Sequence, residues 1–329
     1  MNEHQTMLAD MTQALFEEIG YAADPQADWG RVEELGLPGL LVAEEDGGFG
    51  GAWQDALIVF RTAGYHALGL PLVEAILAAH VAAPAGFAGR GTIAMAATGS
   101  IVGDRFTGSI SGAPAADGAA FVVAPSPDGS SSMIVDLAGQ NGSSRAAISG
   151  ESRSTIALDG ARTARHGSDI FMLGAFARAA QIAGALDAAL AMATEYANQR
   201  KQFGRALAAF QAVQQNLATF ACEAAAANCA AHAAAQALDH GDATYEVAAA
   251  KMRADMAAGV GTAIAHQVHG AIGFTEEYNL HWLTRRLWTW RSEFGNDSYW
   301  ADRLGERTCA RGADNFWPDL TNLSDRLVS

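Results

Sequence analysis

Apolar residues recur at steps of three and four along the second half of the chain, which is the spacing of one face of an α-helix. One clear stripe is formed by Phe210, Val213, Leu217 and Phe220. Polar or glycine-rich breaks divide this half of the chain into four long segments and a short one after Asn296. The pattern predicts main helices at residues 168–201, 206–239, 243–270 and 276–293. Because short connections make successive helices antiparallel, we expect a four-helix bundle.

Proline placement agrees with long helices in this half. Seven of the eight prolines lie at or before Pro127, and the remaining one is Pro318. Proline breaks a helix interior because it lacks the N–H donor and clashes with the preceding turn. The tract between these two prolines, rich in alanine and leucine, therefore favours uninterrupted helices.

Residues 90–165 show a different pattern, in which short β-prone runs alternate with turn signals and glycine and serine are dense. The runs are residues 92–95, 105–111, 120–123, 133–135 and 155–158. They predict a small antiparallel β domain. The first 90 residues return to helical, apolar runs. We therefore predict an α+β fold that is mainly α, with an N-terminal helical domain at 1–90, a β domain at 91–165 and the bundle at 166–329.

Charge and composition restrict the classes of function. The formal net charge of −15 argues against non-specific binding to nucleic acid or to an anionic membrane. Half of the residues are hydrophobic, yet no apolar run approaches the roughly 20 residues of a membrane span. The N-terminus is polar and acidic, without the basic and apolar regions of a signal peptide. A cytoplasmic protein is expected.

The run Arg200-Lys201-Gln202-Phe203-Gly204 follows one long predicted helix and precedes the next. An arginine grips phosphate with a fork of donors, and an aromatic ring lies flat against another ring. These residue types suit a ligand that carries both a phosphate and a planar ring. An arginine at a helix C-terminus also complements the helix dipole, so the run alone does not decide the matter.

Further motifs recur in order along the chain. They are residues 34–40 and 42–51, Phe210-Gln211-Ala212-Val213-Gln214, and Gln267-Val268-His269-Gly270-Ala271-Ile272-Gly273-Phe274. Together with the run at Arg200, they resemble the acyl-CoA dehydrogenase family, whose domain order is also helical, β, helical. The resemblance implies FAD as cofactor, with its ADP half bound across a subunit interface. The residues implied for that contact are Arg200, Gln202, Phe203, Gln267, Gly270, Ala271 and Asn296.

Two positions depart from the family pattern. Where the family places its catalytic glutamate, this chain has Phe294, which cannot take a proton. Glu293 is adjacent, but one residue on a helix is a rotation of about 100°, which normally points the side chain elsewhere. The family's flavin-cradling Thr-Glu-Pro…Gly-Ser-Asp loop is reduced to residues 95–100.

Three hypotheses follow. The preferred one is a subunit that works beside a second, catalytically complete family member, as in α2β2 enzymes that act on steroid side-chain or other bulky acyl-CoA thioesters. By resemblance, its substrate is an acyl-CoA and its acceptor is electron-transfer flavoprotein. The second is a self-sufficient dehydrogenase that uses Glu293 as base. The third is a non-catalytic helical scaffold.

Metal chemistry is not expected. His266 and His269 lie three apart without an acidic or histidine partner at suitable spacing. The cysteines have no metal-ligand spacing, and Cys222 and Cys229 are predicted to be small buried thiols on one helix face.

Overall fold

A computed structural model describes residues 2–24, 27–138, 140 and 142–326. The chain forms two compact units, one of residues 1–59 and 68–177 and the other of residues 60–67 and 178–329. The N-terminal helices and the β-sheet thus lie in one unit, while the three-domain division at residues 90 and 165 stays a prediction. Met1 and residues 327–329, at the ends of the predicted domains, are outside the described residues.

The first unit begins with helices. These are α1 (Glu3–Ile19), α2 (Ala27–Glu34), α3 (Trp53–Tyr65) and α4 (Leu72–Ala82). Asn2 and Gln5 form a reciprocal cap at the start of α1, in which each side chain accepts from the other residue's backbone N–H. Helix α4 is buried on nearly all sides, which explains its almost wholly apolar sequence.

Seven strands form the sheet of the first unit among the described residues. They are β1 (Gly91–Ile93), β2 (Ala96–Val102), β3 (Arg105–Pro114), β4 (Phe121–Pro125), β5 (Ser132–Asp136), β6 (Ser143–Ala146) and β7 (Ser152–His166). The strand order is β1-β4-β5-β7-β3-β2, and β6 also pairs with β7.

Two features of the sheet differ from the sequence-based expectation. The pairing of β1 with β4 is parallel, whereas the remaining pairs are antiparallel as predicted. Strand β6 has no predicted counterpart, because Ser-Ser-Arg-Ala lacks β-branched and aromatic residues. It forms by pairing with residues 152–155 of the long strand β7, whose other edge pairs with β3.

The second unit is built from helices. They are α5 (Ile170–Gln199), which begins in the first unit, α6 (Gln211–His240), α7 (Thr244–His269), α8 (Leu280–Arg291), α9 (Asp297–Arg311) and α10 (Ala313–Arg326). The four predicted bundle helices and the short helix after Asn296 are confirmed. Helix α5 ends two residues earlier than predicted, because the chain enters a small hairpin of β8 (Lys201–Gln202) and β9 (Arg205–Ala206).

Helix α5 is long and apolar enough to cross a membrane by length and composition. However, 83% of its most apolar window is buried inside the protein. Its apolar character is therefore that of a core helix.

Candidate functional site

An exposed hairpin carries three of the predicted ligand residues. The Arg200 carbonyl accepts from the Leu207 N–H at 2.9 Å, which closes the hairpin at its base. At its tip, Phe203 and Gly204 have left-handed φ angles of 51° and 77°. Such a two-residue turn matches the twist of the paired strands. The turn projects the Phe203 ring outward, with 90% of the residue exposed.

The Arg200 guanidinium is exposed and has no hydrogen bond or ion pair within the part of the chain that the structure describes. Gln202 is exposed beside it. The neighbouring Arg205 behaves differently, because its guanidinium lies 4.0 Å from the centre of the Phe210 ring. One arginine of the hairpin is therefore held by an aromatic ring, and the other arginine is available to a ligand.

The C-terminal end of α7 lies against the same end of the bundle. Val268 is buried in a cluster with Ala193 and Ala197 of α5, and Leu207 packs against this cluster. The Tyr196 and His269 rings stack with centres 4.7 Å apart. The structure thus brings the end of α7 to the base of the hairpin. There, three predicted ligand positions are all exposed: Gln267, Gly270 and Ala271.

Two histidines support this corner by stacking. His266 stacks on Phe274 at 4.3 Å between ring centres, and Phe274 is 72% exposed. His269 is 3% exposed, and its Nδ1 lies 2.7 Å from the Ala265 carbonyl oxygen. Burial lowers the pKa of both imidazoles below the ordinary value of 6.5, and at His266 the nearby His269 adds to this effect.

These lowered pKa values predict loss of stability in acid. The unfolded chain protonates its histidines below pH 6.5 while folded His269 resists protonation, so the free energy of unfolding falls as pH drops through 6.5. His269→Phe, which keeps a ring against Tyr196, is expected to reduce that pH dependence in chemical denaturation between pH 5 and 7. His4→Gln, at an exposed position of α1, should leave it unchanged. If the free energy of unfolding changes equally with pH in the parent and in His269→Phe, His269 is not the source of the acid sensitivity.

The position of the family's glutamate lies in a tight turn after α8. Phe294 and Gly295 both have left-handed φ angles, 53° and 81°, and Phe294 is 1% exposed. The Trp300 Nε1–H donates to the Phe294 carbonyl at 3.0 Å. Lys251 Nζ donates to the Gly295 carbonyl at 2.7 Å. The strained turn is thus fixed at both carbonyls, with the phenyl ring held inside the protein.

A fully buried ion pair fixes this turn. Lys251 Nζ lies 2.8 and 2.7 Å from the two carboxylate oxygens of Asp255, and both residues are 0% exposed. Lys251 also donates to the Arg291 carbonyl at 3.2 Å. Burial lowers the pKa of Lys251 and raises the pKa of Asp255 to about 7, against the opposing attraction of the two charges.

Glu293 lies in a second buried ion pair. Its Oε2 accepts from Arg178 Nε at 2.7 Å, and the Arg178 Nη1 donates to the Gln181 side chain at 2.5 Å. The Glu293 side chain is 6% exposed and that of Arg178 is 1% exposed. The Arg178 guanidinium also lies 5.8 Å from the Phe294 ring centre. The carboxylate adjacent to the family position is therefore bonded to a buried cation.

Asn296 is separated from the other predicted ligand residues. Its side chain accepts from the Tyr299 N–H at 2.9 Å and caps the start of α9. The preceding Gly295 contacts α7 at Lys251, whereas Gln267 lies near the C-terminal end of the same helix. These two α7 positions are about 24 Å apart along the helix at 1.5 Å per residue. One chain thus presents two distinct predicted contact regions.

Three of the buried charged residues of these ion pairs were not predicted as site residues from the sequence: Arg178, Lys251 and Asp255. Glu293 was predicted as a possible base, and its ion pair with Arg178 was not predicted. A signal was present, since Lys251 and Asp255 lie four apart in an alanine-rich helical segment, the spacing of an ion pair on one helix face. Their contacts to the turn after α8 depend on tertiary structure.

The cysteine prediction is wrong. Cys222 and Cys229 are exposed, because the face of α6 that carries them does not pack against the described part of the chain. Among the described residues, no group of three or more His, Cys, Asp or Glu side chains could hold a metal ion.

Comparisons with known proteins agree with the sequence motifs. The acyl-CoA dehydrogenase C-terminal domain family matches residues 160–308. A 3-(aryl)acrylate reductase of Clostridium sporogenes is 39% identical over 108 residues, which are 32% of this chain and 29% of that protein. The acyl-CoA dehydrogenase FadE34 of Mycobacterium tuberculosis is 33% identical over 155 residues, 46% of this chain and 22% of that protein. The chain matches less than a third of the length of either relative.

Solved structures of the same fold cover nearly the whole chain. A variant of the Tcur3481-Tcur3483 steroid ACAD has a TM-score of 0.84 at 24% identity, covering 92% of this chain and 97% of that one. The ChsE4-ChsE5 complex of Mycobacterium tuberculosis has a TM-score of 0.82 at 21% identity, covering 95% and 99%. PigA with FAD and proline has a TM-score of 0.80 at 17% identity, covering 95% and 99%. At these identities the likeness concerns the fold.

Proposed function

We propose that the chain is a subunit of an FAD-dependent acyl-CoA dehydrogenase, because residues 160–308 match the acyl-CoA dehydrogenase C-terminal domain family. In this proposal it supplies the ADP-binding half of a flavin site to a catalytic partner subunit. The partner is a second family member with its own glutamate and flavin loop. Two of the fold neighbours, the Tcur3481-Tcur3483 steroid ACAD and the ChsE4-ChsE5 complex, are each named for two different proteins, which favours a heteromer.

The observation that carries the proposal is the state of the Arg200 hairpin. It combines the Arg200 guanidinium, which has no partner among the described residues, with an exposed amide at Gln202 and a phenyl ring at Phe203 that is 90% exposed. The Phe203 ring meets the Phe210 ring edge-on at 6.3 Å between centres, and its exposed surface is accessible to a planar ligand. A phosphate fits the guanidinium and a flat ring fits the phenyl group, so these residues fit the ADP end of FAD.

The end of α7 adds backbone to the same surface. Gln267 and Gly270 are exposed there, and Gly270 has a left-handed φ of 64°. A glycine without a side chain allows a phosphate to approach the backbone closely. In the proposal, Arg200 and Gly270 hold the pyrophosphate, while Gln202, Phe203, Gln267 and Ala271 surround the rest of the ADP half.

The region around Phe294 and Asn296 also supports the need for a partner subunit. Dehydrogenation of an acyl-CoA requires a base for the α-proton, and FAD when bound supplies the acceptor for the β-hydride. Phe294 offers no base, and Glu293 is engaged by Arg178. We therefore assign the proton transfer to the partner's carboxylate, with Asn296 assigned to the flavin contact near that site. An acyl-CoA thioester as substrate, electron-transfer flavoprotein as acceptor and a cytoplasmic location belong to the same proposal.

Two other functions stay open as predictions. A self-sufficient dehydrogenase would need Glu293 to leave Arg178 and reach a substrate. A non-catalytic scaffold would have no use for an exposed arginine and phenyl ring on one hairpin. The buried pairing of Glu293 disfavours the first, and the Arg200 hairpin disfavours the second.

Arg200→Ala is expected to weaken FAD retention in the assembled complex about tenfold or more, because a charge-assisted contact to phosphate contributes about 1.5–3 kcal/mol. The measurement is the flavin-to-protein ratio of the purified complex after dilution, alongside thermal unfolding. Lys201→Ala is the matched control, since it removes a neighbouring exposed charge from the same hairpin. Equal flavin retention in the Arg200→Ala complex and its parent would count against the phosphate contact.

A further inference from the structure

The β6–β7 hairpin carries a basic patch that the proposed function does not use. Arg145 lies directly opposite Arg153 in the pairing of these strands, and Ser143 lies opposite Thr155. Directly opposite residues project from the same face, as do residues two apart on one strand. One face of the hairpin therefore presents two arginines and two hydroxyl groups together.

This patch borders a cavity of about 520 Å³ in the first compact unit. Its lining consists of Gly112, Arg145, Ala146, Ala147, Ile148, Arg153 and Thr155. Ile148 is 65% exposed and gives the cavity an apolar side. Cavities that bind small molecules commonly enclose about 300–1,000 Å³ and combine apolar walls with a few polar groups.

The two arginines differ in how firmly they are held. The Arg153 side chain is 12% exposed, and it donates to the Glu151 carboxylate at 3.0 Å and to the Ser152 carbonyl at 2.9 Å. Glu151 also accepts from the Ser149 hydroxyl at 3.1 Å. Arg145 is exposed, and its side chain makes no hydrogen bond or ion pair with the described residues. The patch thus has one guanidinium that is fixed by the Glu151 carboxylate and one, that of Arg145, without a partner among the described residues.

Like charges directly opposite each other destabilise a strand pair. One carboxylate offsets one of the two arginines, so the patch keeps a positive charge in a chain whose net charge is −15. An anion between the two guanidinium groups would remove the repulsion and fill the remaining donors. A phosphate is well suited, because arginine forks bind it through parallel, charge-assisted hydrogen bonds.

We infer that the cavity beside Arg145 and Arg153 binds a small molecule that carries a phosphate and an apolar or ring-containing part. The arginines hold the phosphate, Thr155 offers a hydroxyl, and Ile148 contacts the organic part. This site is formed by different residues from the Arg200 hairpin, and it does not depend on whether the chain binds FAD. A pyrophosphate-bearing nucleotide such as ADP or coenzyme A has the required chemistry.

The test is calorimetric titration of the full chain at low salt with pyrophosphate, ADP and coenzyme A. Arg145→Ala is expected to weaken binding at least about tenfold, the effect of losing one charge-assisted phosphate contact. Arg105→Ala is the matched control, because Arg105 is another exposed arginine of the same sheet. It should bind like the parent. Tighter binding of ADP than of pyrophosphate would support a contact between Ile148 and the organic part of the ligand. Equal affinities for the two probes would contradict that contact and leave the phosphate as the only part that is recognised.

Arg200→Ala separates this inference from the proposed function. If Arg200→Ala abolishes binding and Arg145→Ala does not, the probes occupy the hairpin and the inference about the β6–β7 patch fails, while the proposed function stands. If Arg145→Ala abolishes binding and Arg200→Ala does not, the patch is the site whatever the flavin result. Binding of none of the three probes, or equal losses in Arg145→Ala and Arg105→Ala, would overturn the inference.

Discussion

Lys251→Ala is expected to lower the free energy of unfolding by about 3–5 kcal/mol, because it leaves the buried Asp255 carboxylate without its counter-charge. The same change removes the donor to the Gly295 carbonyl, so the turn that contains Phe294 loses one of its two fixed carbonyls. Lys251 and Asp255 are both 0% exposed, so water cannot replace the contact between their charges.

The measurement is equilibrium denaturation of Lys251→Ala beside its parent. The double variant Lys251→Met/Asp255→Leu removes both charges together and is expected to recover much of the loss, because replacing a buried ion pair by apolar groups is often neutral or stabilising. Lys201→Ala, at an exposed lysine, should change stability by no more than about 0.5 kcal/mol. A loss below about 1 kcal/mol in Lys251→Ala would contradict the role given to the pair.

Glu293→Gln in the assembled complex is expected to leave turnover nearly unchanged. The glutamine can still accept a hydrogen bond from Arg178, and the proposed proton transfer belongs to the partner. Replacing the partner's catalytic glutamate by glutamine should instead cost about 10²–10⁴-fold in rate, the usual contribution of a general base. The two outcomes differ by orders of magnitude.

The stability of each complex must be followed in parallel, since Glu293 belongs to a buried ion pair. Thermal unfolding of both Glu293→Gln and the parent distinguishes a folding defect from a catalytic one. A loss of about 10²-fold or more in a folded Glu293→Gln complex would make Glu293 the base and restore the self-sufficient dehydrogenase.

The four main helices of the second unit were predictable because their signals are local, whereas α10, which contains Pro318, was not predicted. Apolar steps of three and four, alanine content and the absence of proline act within each segment. The hairpin at Arg200 was not predicted, because strands of two residues have no periodicity to detect. Its shape comes instead from the left-handed pair Phe203 and Gly204, of which only the glycine is a sequence signal.

The candidate site was only partly predictable, because local sequence signals locate single segments and do not report contacts between segments. Motif order located Arg200, Gln267 and Gly270, and the structure brings their segments together through packing around Val268. The contacts that hold Phe294 and Glu293 in place escaped prediction because they join distant parts of the chain. Arg178 and Glu293 are 115 residues apart, and Lys251 and Gly295 are 44 apart. No local pattern reports such contacts.

The most direct test of the proposed function is the FAD content per chain. It is measured for this chain alone and for the complex purified after co-expression with a longer family member that has the glutamate and the flavin loop. The proposal predicts little FAD and no acyl-CoA dehydrogenase activity for the isolated chain, and bound FAD with activity for the complex. Stoichiometric FAD in the isolated chain, with dehydrogenase activity that Glu293→Gln abolishes, would contradict it.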